Sequence, residues 1–468
     1  MTPARLITPI ALLAGSACTL GPDFALPGFS GGTQWKETRA TADAPLPDDW
    51  WKLFQDPVLN RFVDRAFEAN QDLAAARERM KTARALVGVD RARLFPTLDL
   101  NAQSGIDRSS ESAISGRLPQ GVSIDPEVRN YRGTFDLAYD ADLWGRNRRS
   151  LEAALASADA AAARTDATRL GIAAEVARQY FLLRGLEDQQ AILKETIASR
   201  RRTLELLTSK AEAGLADGIA THQANTELEL ATADLARVDR QRGAAEHALA
   251  VLCGTRPSDF RPDKAGTTKP LPQLRAGLPA EVLARRPDVR AATSDLRAAN
   301  ARIGVAEAAF YPDFRLTATS GFESLEPRDF LDWQNRVLSL GAGVTSPVFN
   351  AGRNRAALDA AISQRDEALA NYKNTLLVAL REVEDSATDL NGLARSRKAL
   401  DQALASATQA RDLVAERHDK GLVSYLEVVE ADRTVLRIRL TLAQTDAEQR
   451  ITLAALAKAL GGGWGKRS

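Results

Sequence analysis

The sequence predicts an internally duplicated α+β membrane protein in which each half contributes two long strands and very long helices. First, a stretch of more than a hundred residues repeats at one constant offset, since 352−145, 421−214 and 461−254 all equal 207 and each pair joins two glycines. Second, each half contains two runs of alternating apolar and polar residues. Third, each alternating pair is followed by a proline-free helical run of about 70 residues. A repeat of this length governs the interpretation of the fold.

Composition excludes several classes of protein. The 468 residues carry a formal net charge of +1, which provides no basic surface for nucleic acid. Two cysteines and three histidines are too few for a Cys/His metal site, so neither a metal nor a cofactor is expected. Ser/His/Asp and phosphate-loop patterns are absent, so the chain is not expected to be an enzyme. A 6% aromatic content suits long helices more than compact globules.

The N-terminus has the pattern of an export signal. Residues 1–17 carry one arginine, Arg5, then an apolar run too short to span a bilayer, then small residues. Cys18 follows directly, and the segment resembles the lipobox of bacterial lipoproteins, with Gly15 where that family prefers leucine. The resemblance implies a covalent lipid on Cys18. An ordinary signal peptide with an incidental cysteine is the alternative. Residues 18–57 would then form a lipidated N-terminal arm.

The first repeat is expected to span residues 58–256. Apolar residues at helical spacing predict a helix from Val58 to Leu94, which Pro96 ends. After two strands, a helix is expected from Arg146 to Ala213, roughly 100 Å long at 1.5 Å per residue. Gly214 breaks it, and a returning helix runs from Ile219 to Leu252. A proline-rich linker or equatorial segment at 257–286 leads to the second repeat, 287–462, and to a tail, 463–468.

The alternating runs predict four strands with one apolar and one wet face. Each run has about ten to thirteen residues, which fits a tilted strand crossing a membrane. Two soluble hairpins docked on helices are the alternative, but no other apolar surface is available to cover them. The apolar members are Leu98, Leu100, Ala102, Ile106, Tyr131, Phe135, Leu137 and Tyr139 in the first half, and Phe314, Leu316, Ala318, Phe322, Leu338, Leu340, Ala342 and Val344 in the second.

Four strands cannot close in lipid, where an open edge is not tolerated, so the chain must oligomerise. Two copies give eight strands and a filled barrel, whereas three give twelve strands and a lumen. The inward residues, rich in Asp, Asn, Thr and Arg, favour water. The sequence therefore predicts a trimeric 12-stranded β-barrel with four strands per chain. A 12-helix periplasmic α-barrel continues it, with a mixed equatorial region.

Several motifs along the mature chain resemble one family. They are CTLGPDFALP, DDWWKLFQDPVL, GLPAEVLARRPDVRAAT, FYPDFRLTATSGF, SPVFNAGRNRA, KGLVSYLEVVEADRTVL and ALGGGW. Together they resemble the TolC/OprM-type outer membrane efflux proteins, in the NodT-like lipoprotein branch. The resemblance implies a homotrimer that serves as the passive exit duct of a tripartite pump for small toxic compounds or drugs. Its partners would be a periplasmic adaptor (membrane fusion) protein, an inner-membrane transporter and outer-membrane lipid.

The same resemblance implies a bacterial outer-membrane protein that is lipid-anchored and extends into the periplasm. A coiled-coil structural lipoprotein of the envelope without a pore, or the duct of a protein secretion system, remain as alternatives. The cargo is left open.

The segment RHDKGLVSYLEVVEADR is similar to the periplasmic gate of that family, where a leucine and an acid four residues later surround the closed entrance. The resemblance assigns these roles to Leu426 and Glu430, which an i,i+4 spacing sets on one helix face. Glu430 replaces the usual aspartate, and His418 replaces a tyrosine. Arg417 is expected to latch neighbouring tips, with Asp217 as its partner. The alternative is that these are solvated helix charges.

The turn between each long helix and its returning helix, which we call a helix tip, carries a glycine followed by a leucine, Gly214–Leu215 in the first half and Gly421–Leu422 in the second. A glycine at this position reverses the chain after a helix, which is the simple structural explanation. The family resemblance adds that these tips contact the adaptor.

Overall fold

The structure, a computed structural model, describes residues 19–28, 35–37, 46–110, 127–214, 218–263, 269–272, 274 and 279–462. The predicted signal peptide, Cys18 and the tail 463–468 lie outside these residues. The chain divides into two compact units. The strand-bearing unit draws on Met1–Pro27, Lys81–Ala160 and Thr293–Asn371, and the helical unit on Gly28–Met80, Ala161–Ala292 and Tyr372–Ser468.

The two halves share one order of elements. The first half contains α1 (Pro57–Ala69), α2 (Gln71–Ala92), β1 (Thr97–Arg108), β2 (Glu127–Asp140), α3 (Arg146–Glu212) and α4 (Gly218–Leu252). The second half contains α5 (Pro279–Arg285), α6 (Pro287–Ala308), β3 (Asp313–Ser324), β4 (Arg336–Thr345), α7 (Arg353–Asp419) and α8 (Tyr425–Ala459). Among the described residues, no helix combines the length and apolarity needed to cross a membrane.

The four strands form one antiparallel sheet in the order β1-β2-β3-β4, and the register confirms the predicted alternation. Directly paired residues share a face, and Leu98 pairs with Leu137, which pairs in turn with Ala318 and then Leu340. This row belongs to an apolar face that is open to the surroundings, since Leu98 is 65% and Leu340 79% exposed.

The opposite face of the sheet is polar and hydrogen-bonded across strands. Asp136 lies at its centre and accepts hydrogen bonds from three neighbours. Thr319 Oγ1 donates to it at 2.7 Å, Thr134 Oγ1 at 3.2 Å, and the amide of Asn101 donates as well. A sheet with one apolar and one polar face is typical of a barrel wall that separates lipid from water.

The repeat appears in the backbone as matched helix-end conformations. All six glycines of the 207-residue repeat have φ between 63° and 86°, the left-handed region where a Cβ is strained. At the C-terminal end of α7, the Leu422 N–H donates to Arg417 O and the Gly421 N–H donates to His418 O. This pair of hydrogen bonds is a Schellman motif. The motif recurs at the ends of α4 and α8.

The prediction of one continuous helix over Val58–Leu94 is wrong, because the helix breaks at Asn70. This residue has ψ of 127°, outside the helical region. Its side chain donates to the last carbonyl of α4, Leu252 O, at 3.0 Å. Arg286 is the repeat equivalent (286−70 = 216) and separates α5 from α6. It donates to Ala459 O at 2.9 Å. In both halves the break satisfies a carbonyl at the end of the returning helix.

The core of the helical unit forms around the 3₁₀ turn Trp50–Phe54, α1, α3 and the end of α4. Trp50 is 1% exposed and Trp51 3%, so both rings are packed into this core. Asp56 caps α1 by accepting from Val58 N at 2.9 Å, and its second oxygen accepts from the Tyr180 hydroxyl. Burial, together with this bond, raises the pKa of Tyr180.

The arm residues 19–23 lie on the strand-bearing unit. The Arg149 side chain is 6% exposed and donates to Leu20 O at 2.9 Å, Gly21 O at 3.1 Å and Asp23 Oδ1 at 3.0 Å. Leu20 N in turn donates to Trp144 O at 3.1 Å. A buried guanidinium with this many acceptors fixes the arm beside the end of β2.

Candidate functional site: the helix tips

The turn between α7 and α8 is short and well capped. Gly421, with φ of 72°, closes α7 through the Schellman motif, and Leu422 is 70% exposed. Ser424 starts α8, and its N–H donates to Glu427 Oε1 at 3.4 Å. Backbone groups at the end of α7 and the start of α8 are therefore hydrogen-bonded within the turn. The exposed Leu422 side chain is left available for contact with another molecule.

The two predicted gate residues lie on one face of α8. Leu426 is 49% exposed, and the Glu430 side chain is 59% exposed one turn further along. Glu430 is held by Arg433, whose Nη1 lies 2.6 Å from Glu430 Oε1. The inner side of the same turn is packed, since Val429 is 5% exposed. The local geometry thus presents an apolar and an acidic side chain to the same space.

Glu430 belongs to an ion cluster centred on a buried carboxylate, which we call the tip network: Arg200 on α3, Glu227 on α4, and Glu430 and Arg433 on α8. The Glu227 side chain is 5% exposed. Arg200 Nη2 approaches Glu227 Oε2 at 2.9 Å, and Arg433 Nε donates to Glu227 Oε1 at 2.8 Å. One carboxylate therefore connects three helices and leads directly to the exposed acid at Glu430.

The surroundings of the tip network disfavour further negative charge. Burial raises the pKa of Asp432 on α8, although Arg411 Nη1 lies 4.0 Å from its carboxylate. Burial likewise raises the pKa of Tyr425, and the nearby Asp432 contributes to it. The His418 ring meets Tyr425 edge-on at 5.9 Å. His418 and Tyr425 thus pack the end of α7 onto the start of α8.

The structure describes only one side of the predicted latch. Arg417 is exposed, and its guanidinium makes no ion pair among the described residues. Asp217 and Leu215 lie outside the described residues, so the Arg417–Asp217 latch stays a prediction. Gly214 has φ of 71° and ends the first long helix, as its repeat partner does.

The tip network is not among the sites predicted from the sequence. Glu227 offered one signal, because it occupies the apolar stripe of α4 alongside Ala224, Leu228 and Ala231, all buried. A charged residue on such a stripe indicates a partner. The two halves also differ here, since Gln223 is the repeat equivalent of Glu430 (430−223 = 207), whereas Ile219 matches Leu426. Only the second half supplies an acid at this level.

Comparison with known proteins decides the family. A family model described as "Outer membrane efflux protein" matches residues 62–255 and 278–462. The chain belongs to the outer membrane efflux protein family. It is similar to the solvent efflux pump outer membrane protein SrpC of Pseudomonas putida, with 32% identity over 471 residues that cover 97% of each chain.

Solved structures agree. The outer-membrane channel OprN superposes with a TM-score of 0.88 at 29% identity, covering 96% of this chain and all of OprN. The open state of the Neisseria gonorrhoeae MtrE outer membrane channel gives a TM-score of 0.85 at 29% identity, with 96% and 99% coverage. The predicted fold class is confirmed: this is an α+β outer-membrane protein whose trimer combines four strands from each chain. Efflux across the outer membrane is its function, and the family is one of channels, not of enzymes.

Proposed function

We propose that this protein is the gated, passive exit duct of a tripartite efflux pump, closed at its helix tips by Leu426 and Glu430. The observation that carries the gate is the tip network. Its buried carboxylate, Glu227, holds α8 against α3 and α4 at the turn that presents Glu430. In a trimer, three Leu426 side chains would exclude water, and three Glu430 carboxylates would repel anions.

The network also supplies a reason for a closed resting state. A buried acid with two arginines is a strong local restraint, because breaking it leaves charges unpaired in a poorly solvated site. In this proposal, opening the tips moves α8 away from α4 and separates Arg433 from Glu227. The gate thus opens only when something compensates that cost, and contact with a pump partner can provide it.

We further propose the partners. The exposed tips around Gly214–Leu215 and Gly421–Leu422 would contact a periplasmic adaptor, and an inner-membrane transporter would supply energy and select the cargo. Small toxic compounds such as organic solvents are the proposed cargo, in line with the name of SrpC. Arg417, with Asp217 as its partner, would latch neighbouring tips.

A lipid on Cys18 would anchor the chain to the outer membrane. Thr19 lies against Gly145 at the foot of the sheet, where a Cβ on Gly145 would come within 2.8 Å of Thr19 Cγ2. A lipid on the preceding residue would therefore enter the bilayer beside the strands. Incorporation of labelled palmitate into the wild type and not into Cys18→Ser tests this.

Conductance in planar bilayers tests the duct. The wild-type trimer should show small conductances and spend most of the recording closed. The Glu430→Ala/Arg417→Ala double variant should conduct more, and cells carrying it should admit antibiotics that the wild type excludes. A bilayer that stays sealed at every voltage with both proteins would remove the duct. Equal conductance and equal antibiotic entry would remove the gate assignment while leaving the duct in place.

A further inference from the structure

An open cavity of about 270 Å³ lies where the strands end and the long helices begin. Its wall includes Trp144, Tyr311, Phe314, Arg146 and Arg353. The strand residues in its wall are Asp313 and Phe314 on the inner strand β3 and Thr345 on the edge strand β4. The cavity therefore lies between the ends of these strands and the first residues of α3 and α7.

The wall has the chemistry of a membrane boundary. The Trp144 ring lies 4.9 Å from the Tyr311 ring, and its Nε1 donates to Pro312 O at 2.7 Å, which fixes the indole. Phe314 continues the apolar face of the sheet into the cavity. Aromatic residues at strand ends mark the level of the lipid head groups.

The two arginines in the cavity wall occupy equivalent positions in the two repeats. Arg146 and Arg353 are equivalent (353−146 = 207), and each precedes an asparagine that fixes the backbone. Asn147 Nδ2 donates to the carbonyl of Arg93 at 3.2 Å, and Asn354 Nδ2 donates to the equivalent carbonyl, that of Ala309. Both arginines therefore leave the backbone from corresponding anchored positions at the foot of the sheet.

The charge of these arginines is incompletely balanced. Arg146 is 56% exposed and only 4.0 Å from Asp313, a long contact with an exposed acid. The Arg353 guanidinium makes no ion pair or hydrogen bond with any residue that the structure describes. Asp142, the other acid of the wall, is occupied by Arg148 and by the N–H groups of residues 147 and 148. Positive charge thus faces open space beside an apolar, lipid-facing surface.

We propose that this cavity binds the head group of an anionic phospholipid from the periplasmic leaflet of the outer membrane. The phosphate lies between Arg146 and Arg353, and the acyl chains extend along Phe314 and the apolar face of the sheet. Guanidinium groups suit this role because they bind phosphate oxygens in pairs and are weakly hydrated. The site is independent of the gate at the other helix ends.

Native mass spectrometry of the delipidated trimer tests the proposal. Phosphatidylglycerol should add up to three molecules per trimer at low concentration, one per cavity, and phosphatidylcholine should bind more weakly. The Arg146→Gln/Arg353→Gln variant should lose affinity for phosphatidylglycerol by about tenfold or more, the range expected when charge-assisted hydrogen bonds are removed. Arg355→Gln is the matched control, because Arg355 is two residues away and paired with Asp359 at 3.2 Å.

The outcomes separate clearly. Unchanged phosphatidylglycerol affinity in the double variant overturns the site, and so does an equal preference for phosphatidylcholine. Displacement of the lipid by inorganic phosphate at equimolar concentration would show a free-phosphate site instead. Should the double variant fail to form trimers, each single variant is measured, and each must weaken phosphatidylglycerol binding relative to Arg355→Gln.

Discussion

Replacing Glu227 by glutamine should open the gate without removing any residue exposed at the entrance. Glutamine keeps the volume of the side chain but removes the charge that Arg200 and Arg433 share. Removing one partner of a buried ion pair costs about 3–5 kcal/mol. Arg433 is 39% exposed and can regain water, so the lower end applies, about 3 kcal/mol.

If the contact exists only in the closed tips, this loss shifts the balance between closed and open tips by roughly a hundredfold per chain, since 1.4 kcal/mol is a factor of ten. Planar-bilayer recordings of the purified trimer should then show a much larger open fraction for Glu227→Gln. Cells carrying it should become sensitive to an antibiotic that the outer membrane normally excludes. Glu229→Gln is the matched control, because Glu229 is exposed on the same helix.

A second measurement separates a gate from a merely structural role. A double-mutant cycle with Arg433→Gln should show coupling of about 1 kcal/mol or more in the closed-to-open balance. Lower thermal stability with unchanged open fraction would refute the reasoning, because the network would then hold the fold and not the gate. An identical effect of Glu229→Gln would refute it too.

Three further predictions concern other sites. Burial raises the folded-state pKa of Asp432, so ionisation of this carboxyl destabilises the folded tip as pH rises through that pKa. Asp432→Asn should therefore raise the melting temperature at pH 7 and reduce the decrease in melting temperature between acidic and neutral pH. An unchanged dependence of melting temperature on pH contradicts this. Burial raises the pKa of the Cys253 thiol to about 11, so only about one thiol in a thousand is ionised at pH 8. In the Cys18→Ser variant, where Cys253 is the remaining cysteine of the sequence, iodoacetamide should label the protein only after unfolding. A Cβ on Gly304 would lie 2.5 Å from Leu20 O, so Gly304→Ala should displace the arm at a cost of about 1–3 kcal/mol and make residues 19–28 sensitive to protease, unlike Gly171→Ala, where nothing lies within 4 Å.

Much of the fold follows from local patterns in the sequence. The alternation through Leu98, Leu137, Ala318 and Leu340 predicts the apolar face of the sheet, because side chains in a strand point to opposite faces in turn. The long helices also end close to the expected glycines, Gly214 and Gly421, where positive φ is required. These features depend on neighbours a few residues apart, so one sequence suffices to find them.

The tertiary structure alone decided the features that join distant parts of the chain. Asn70 breaks a stretch with a continuous helical pattern because Leu252 O needs a donor, 182 residues away. Glu227 meets Arg433 across 206 residues. The spacing of Leu426 and Glu430 shows which face they share, but the restraint behind them lies on other helices. Periodicity records which face of an element is apolar, whereas the partner of a buried charge is set by packing.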